Sequence, residues 1–138
     1  MRRKAAVPVH AAWPKLADLA ALSKWAPDVA SSRSDQLRLG ARRVAVLKEP
    51  AYGKAELVET VTALRPQGFS YDIEGGIGPF AAITTSWDLE PRDGGCAVVV
   101  SSEIAVVGKW RFAKPLAAWG WKRQLAALAK GFAKYAES

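Results

Sequence analysis

Hydrophobic positions in this chain follow two different rhythms. Over residues 29 to 108 they come in short segments, interrupted wherever glycine and proline gather. Near the end, Trp121, Leu125, Leu128, Phe132 and Tyr135 recur at intervals of four, three, four and three residues. That spacing places them on one stripe of a helix starting near Pro115, with Lys122, Arg123, Lys130 and Lys134 off the stripe. A helix with such a stripe needs an apolar partner, and the sheet implied by the preceding segments is the only candidate large enough.

The remaining elements follow from the same pattern. Residues 5 to 9, Ala-Ala-Val-Pro-Val, predict a short first strand, with Pro8 at an edge or a strand end. Ala11, Ala12, Trp13, Leu16, Leu19, Ala20 and Leu22 then change to helical spacing, in which Pro14 is tolerable only in the first turn. Ala26 precedes Pro27 and is pushed out of helical geometry, so two short helices or one bent helix fit. Strands are predicted over 29–39, 42–49, 54–65, 69–74, 80–90 and 96–107, about seven with the first. Their short connections favour antiparallel neighbours. The order of elements is α+β rather than doubly wound, and the 138 residues read as one domain over 1–138.

Composition narrows the class. Half of the residues are hydrophobic and six are Trp, as expected of a globular chain rather than a disordered one. No apolar run approaches the ~20 residues that span a bilayer, and Met1-Arg2-Arg3-Lys4 does not lead into a sustained hydrophobic segment, so a cytoplasmic location is expected. Cys96 is the lone cysteine and reads as a small buried hydrophobe. The formal net charge is +7, with clusters at Arg2, Arg3 and Lys4, at Arg42 and Arg43, and at Lys109, Arg111 and Lys114. No motif of a nucleic-acid module accompanies them, so nucleic acid is not an expected partner, and scattered solvated charge is the simplest reading.

The ordered series of segments carries a resemblance. The opening Ala-Val-Pro-Val-His-Ala-Ala-Trp-Pro-Lys-Leu-Ala-Asp-Leu, then Lys24-Trp25-Ala26-Pro27-Asp28-Val29, the step Leu39-Gly40-Ala41-Arg42-Arg43, Glu56-Leu57-Val58-Glu59, Tyr71-Asp72-Ile73 before a Gly/Pro loop, and the final amphipathic helix resemble the START-like (SRPBCC) superfamily. Within it the chain is similar to bacterial polyketide cyclase/dehydrase-type proteins. The resemblance implies a helix-grip (Bet v 1-like) fold: a seven-stranded antiparallel sheet wrapped around a long C-terminal helix, with two short helices after the first strand. It also implies a cavity that holds a hydrophobic small molecule, serving a carrier, an interaction module or, in a minority of relatives, a cofactor-free enzyme that cyclises or dehydrates its substrate. Fold does not decide among these.

If the strand over 54–65 is oriented as in such relatives, Glu56, Val58 and Thr60 face the cavity while Leu57 and Glu59 point away. A partly desolvated carboxylate at Glu56 would be a candidate base or hydrogen-bond acceptor; its structural alternative is pairing with Arg43 or Lys54. Phe69, Tyr71 and Ile73 share one face by period two, expected to be internal, and Tyr71 adds a polar tip that could orient a ligand oxygen. Trp87 and Leu89 read as packing beneath the helix. Both faces of the last strand are apolar, which leaves Glu103 either as a second polar group in the pocket or as a charge at its rim. The candidate site is therefore Glu56, Tyr71 and Glu103 for chemistry, with Val58, Phe69, Ile73, Trp87, Trp121, Leu125 and Leu128 as candidate lining.

Other chemistries find no support in the sequence. His10 is the single histidine and reads as a surface or capping residue; no Cys/His spacing suggests zinc, and no metal or other cofactor is expected. There is no Gly-x-Ser-x-Gly elbow. Gly75-Gly76-Ile77-Gly78-Pro79 fits a hairpin better than a phosphate loop, because Pro79 and the strand-like residues after it do not open a helix. Trp119 falls about 200° from Trp121 on the helix. It either packs with Leu116 against the first helices or stays exposed, forming with Trp110 and Phe112 an apolar lip at the cavity entrance. With Lys109, Arg111 and Lys114 beside it, a membrane contact is the lesser reading of that surface.

Overall fold

The protein is described by a computed structural model over residues 1–138, the side chain of Trp110 excepted; the part expected of Trp110 in an apolar lip lies outside the described side chains. Seven strands form one antiparallel sheet: β1 (Arg2–Ala5), β2 (Val29–Ser34), β3 (Arg42–Ala51), β4 (Lys54–Arg65), β5 (Gly68–Ile73), β6 (Phe80–Arg92) and β7 (Gly95–Val106). Their spatial order is β1-β7-β6-β5-β4-β3-β2, so β2 to β7 make a meander and β1 closes beside β7. Helix α1 (Val9–Ala17) and a 3-10 helix (Leu19–Lys24) lie between β1 and β2; a second 3-10 helix (Gly108–Ala113) leads into α2 (Lys114–Ala136). This is the helix-grip arrangement expected of the sequence.

Three local expectations are corrected. The first strand is Arg2–Ala5 rather than residues 5 to 9, because pairing with β7, from Arg2 with Val99 to Ala5 with Cys96, recruits the charged start while Val9 turns inward as the first residue of α1. Pro14 lies past the first turn of α1. In so short a helix the ring removes only the bond to the carbonyl of His10, an exposed residue. Strand β3 runs through Pro50 to Ala51 instead of ending at Glu49. Pro50 falls in an irregular stretch of the β3–β4 ladder, between Val46 and Ala51, where no bonded partner is required of it. The reversal comes instead at Tyr52 and Gly53, with φ of 50° and 79°, the left-handed pair that a two-residue hairpin uses.

The sheet curls around α2 unevenly. All five buried residues of α2, Leu125, Ala129, Phe132, Ala133 and Ala136, lie in its second half. There Phe132 meets Trp25 edge-on at 5.3 Å between ring centroids and Trp87 at 6.0 Å, while Trp25 and Trp87 are 5.3 Å apart. This triad ties the approach to β2, the centre of the sheet and the helix together, each pair contributing about 1 kcal/mol beyond area burial. Gly131 makes the approach possible: a Cβ there would lie 2.3 Å from the backbone oxygen of Trp25. The first half of α2 carries no fully buried residue, and beneath it the interior is open.

Candidate functional site

A cavity of about 870 Å³ occupies the space between the concave face of the sheet and the first half of α2. Its sheet wall is supplied by Ala45 and Leu47 of β3, Leu57 and Glu59 of β4, Tyr71 and Ile73 of β5, and Phe80 and Trp87 of β6. Leu22, Trp25 and Val29 close one end. Trp121, Gln124, Leu125 and Leu128 form the helix wall. The solvent-exposed members of the lining are Asp28, Lys48 to Pro50, Tyr52, Leu116 and Gly120; those from Lys48 on mark the mouth between the β3–β4 hairpin and the start of α2.

Away from the mouth, and apart from Gln124 and Asp28, which bond to each other at 3.0 Å, the wall is apolar except where β3, β4 and β5 lie side by side. Arg43 pairs with Glu59 in the β3–β4 register, and its Nε donates to Glu59 Oε1 at 2.7 Å with both side chains buried. The guanidinium also stands 5.1 Å over the Tyr71 ring, and its Nη1 donates to the carbonyl of Leu19 at 3.4 Å. Burial alone would make Arg43 easier to deprotonate, but the Glu59 charge, together with hydrogen bonding to Glu59 and the interaction with Tyr71, outweighs it, so its pKa is raised and it stays a cation. Tyr71 Oη accepts from Trp87 Nε1 at 3.4 Å. Burial first, and the Glu59 charge second, push the Tyr71 phenol well above its ordinary value, with Arg43 pulling weakly the other way. Tyr71 is therefore a neutral hydroxyl able to donate, next to a carboxylate able to accept. Trp121 adds a third group: its Nε1 is buried and has no acceptor among the described residues.

The sequence-derived candidates divide. Tyr71, Ile73, Trp87, Trp121, Leu125 and Leu128 are brought together on the cavity wall. Phe69 shares their face but is buried against Tyr71 at 6.0 Å between centroids, in the packed core rather than on the wall. Glu56 and Val58 are corrected outright. Period two sends Leu57 and Glu59 inward, and leaves Glu56 exposed and Val58 half-buried, neither on the wall. Both faces of β4 carry a glutamate, so the strand alone could not choose; the buried Arg43 opposite Glu59 decides it. Glu103 is exposed beside Thr84, on the face away from the cavity, because the inward face of β7 is the set containing Val98, Val100 and Ser102, the last bonded to Thr85 at 2.8 Å. Arg43 and Glu59 were missed as site residues. The available signal was a charged pair, an arginine and a glutamate, in a sheet whose other inward positions are uncharged.

Among the described residues no group of three or more His, Cys, Asp or Glu is arranged to hold a metal, and no helix is long and apolar enough to cross a membrane. Comparison with known proteins agrees with the architecture. No curated protein matches the sequence at a significant level. Among solved structures, the chain superposes on an aromatase/cyclase from Streptomyces sp. R1128 with a TM-score of 0.72 at 13% identity, covering 99% of this chain and 91% of that one. A protein from Thermus thermophilus gives 0.72 at 16% identity, covering 99% and 94%. Ara h 8.0201 gives 0.70 at 17%, covering 99% and 94%. The family profile described as polyketide cyclase / dehydrase and lipid transport matches residues 1–137. With a match of that extent and a helix-grip fold around an open cavity, the chain belongs to the polyketide cyclase/dehydrase and lipid transport family of the START-like superfamily.

Proposed function

We propose that this protein, acting in the cytoplasm, binds a mostly apolar small molecule of aromatic or acyl character that carries at least one hydroxyl or carbonyl oxygen. The observation that carries this reading is the Glu59 carboxylate and neutral Tyr71 hydroxyl set in the wall of a mostly apolar 870 Å³ cavity. Such a wall takes up apolar surface through burial and orients the ligand through a few polar contacts. A ligand hydroxyl would donate to Glu59, and a ligand oxygen would accept from Tyr71 or from Trp121 Nε1, whose missing acceptor is unusual for a buried donor. Native mass spectrometry of the purified protein tests this. A bound small molecule is expected, and its loss is expected when Leu128→Trp fills the cavity.

A second reading, cofactor-free cyclisation, dehydration or aldol-type proton transfer, is supported by the donor and the carboxylate sharing one wall. Glu59 would take the role first given to Glu56, with Tyr71 holding a substrate oxygen. Glu59→Gln separates this from a non-catalytic carrier: an enzyme should lose turnover with binding largely intact, while a carrier should keep most of its affinity and show no turnover to lose.

A further inference from the structure

The whole formal charge of +7 resides in one segment. Between Ile104 and Ala136 there are seven basic residues, from Lys109 to Lys134, and no Asp or Glu, while the rest of the chain carries as many acids as bases. The same segment holds three large exposed hydrophobic side chains near the cavity mouth: Phe112 is 83% exposed, Leu116 69% and Trp119 56%. Leu116, Trp119 and Arg123 follow one another at i, i+3 and i+7, so they share a face of α2 turned away from Ala117, Trp121 and Leu128, which face the cavity. Arg123 covers part of Trp119, its Cζ 5.0 Å from the ring centroid.

We infer that the 3-10 helix Gly108–Ala113 and the first two turns of α2 form a docking surface for an anionic lipid bilayer. An apolar tip of Phe, Leu and Trp whose own segment carries only cations, with Glu49 on the facing hairpin the one carboxylate across the mouth, matches a membrane interface, where rings sit at the headgroup boundary and basic side chains meet phosphates. An acidic protein would answer the charge but leaves three exposed apolar side chains without a defined partner. Leu116 belongs to both the docking face and the cavity mouth, and Tyr52 on the facing hairpin is 70% exposed. A bilayer docked there covers the mouth, and an apolar ligand passes between cavity and acyl layer without crossing water. This surface is defined independently of which ligand the cavity takes.

The test is sedimentation of the full chain with vesicles of phosphatidylcholine alone or with added phosphatidylglycerol, at low and at high salt, beside a column of immobilised polyglutamate. Binding is expected to the phosphatidylglycerol vesicles and not to pure phosphatidylcholine. Phe112→Ser/Trp119→Ser should weaken it by roughly tenfold or more, with thermal unfolding unchanged because both side chains are exposed. Should that variant unfold, Lys109→Gln/Arg111→Gln/Lys114→Gln should abolish binding at a salt concentration where the parent still binds. No binding to anionic vesicles at low salt overturns the inference, as does binding that survives the Phe112/Trp119 change in a folded variant. Retention on polyglutamate without vesicle binding also overturns it, in favour of an acidic protein partner.

Discussion

Arg43 and Glu59 face each other across β3 and β4 inside the protein, Nε donating to Oε1 at 2.7 Å, with Glu59 on the wall of the cavity. Two charges taken out of water cost more than most pairs return, so the pair is weak evidence for stability. What it does is hold a carboxylate at a defined point in an apolar wall. Removing one partner should be far worse than removing both. Glu59→Ala, which leaves the Arg43 cation alone, should cost about 3–5 kcal/mol, and Arg43→Met/Glu59→Met should recover most of that loss. Urea denaturation of the parent protein and the two variants measures it; a double variant as unstable as the single would mean that the guanidinium is not the stranded charge.

Two glycines of α2 should respond in opposite directions. A Cβ at Gly131 meets the Trp25 oxygen at 2.3 Å, whereas at Gly120 nothing lies within 4 Å, because that side opens on the cavity mouth. Gly131→Ala should push α2 off the Trp25 backbone and cost about 1–3 kcal/mol. Gly120→Ala should stabilise by up to about 1 kcal/mol through helix propensity. Thermal unfolding of both variants checks the pair of signs.

Alkaline stability should report on Tyr71. Burial and the Glu59 charge raise its phenol above the ordinary value of 10.0. Above that pH the unfolded chain releases a proton that the folded protein keeps, so the unfolded state binds fewer protons and stability falls as pH rises, by at most about 1.4 kcal/mol per unit for one group. Below pH 10.0 the group contributes no slope. Tyr71→Phe should shallow the decline in denaturation curves taken on either side of that value. An unchanged slope would place the phenol in contact with solvent.

Much of the fold was legible in the sequence because its signals are local. The stripe from Trp121 to Tyr135 identified α2, and turn glycines such as Gly94, with φ of 79°, marked the meander. Tyr71 and Ile73 were placed on the inward face by period two alone. The polar centre was less legible, because Glu56 and Glu59 occupy opposite faces of one strand and only the register with Arg43 distinguishes them. The first strand was displaced for a related reason: Arg2 to Lys4 become a strand through pairing with β7, which no local preference of charged residues announces.

The most direct test of an apolar cavity with an oriented polar wall is a pair of calorimetric titrations, with naphthalene and with 2-naphthol, repeated on Glu59→Gln/Tyr71→Phe. The protein should bind both compounds at one site, 2-naphthol more tightly by roughly the factor of ten that a buried hydrogen bond supplies. In the double variant that preference should shrink several-fold while naphthalene binding persists. Equal affinities in the parent protein, or no binding of either compound, would contradict the account.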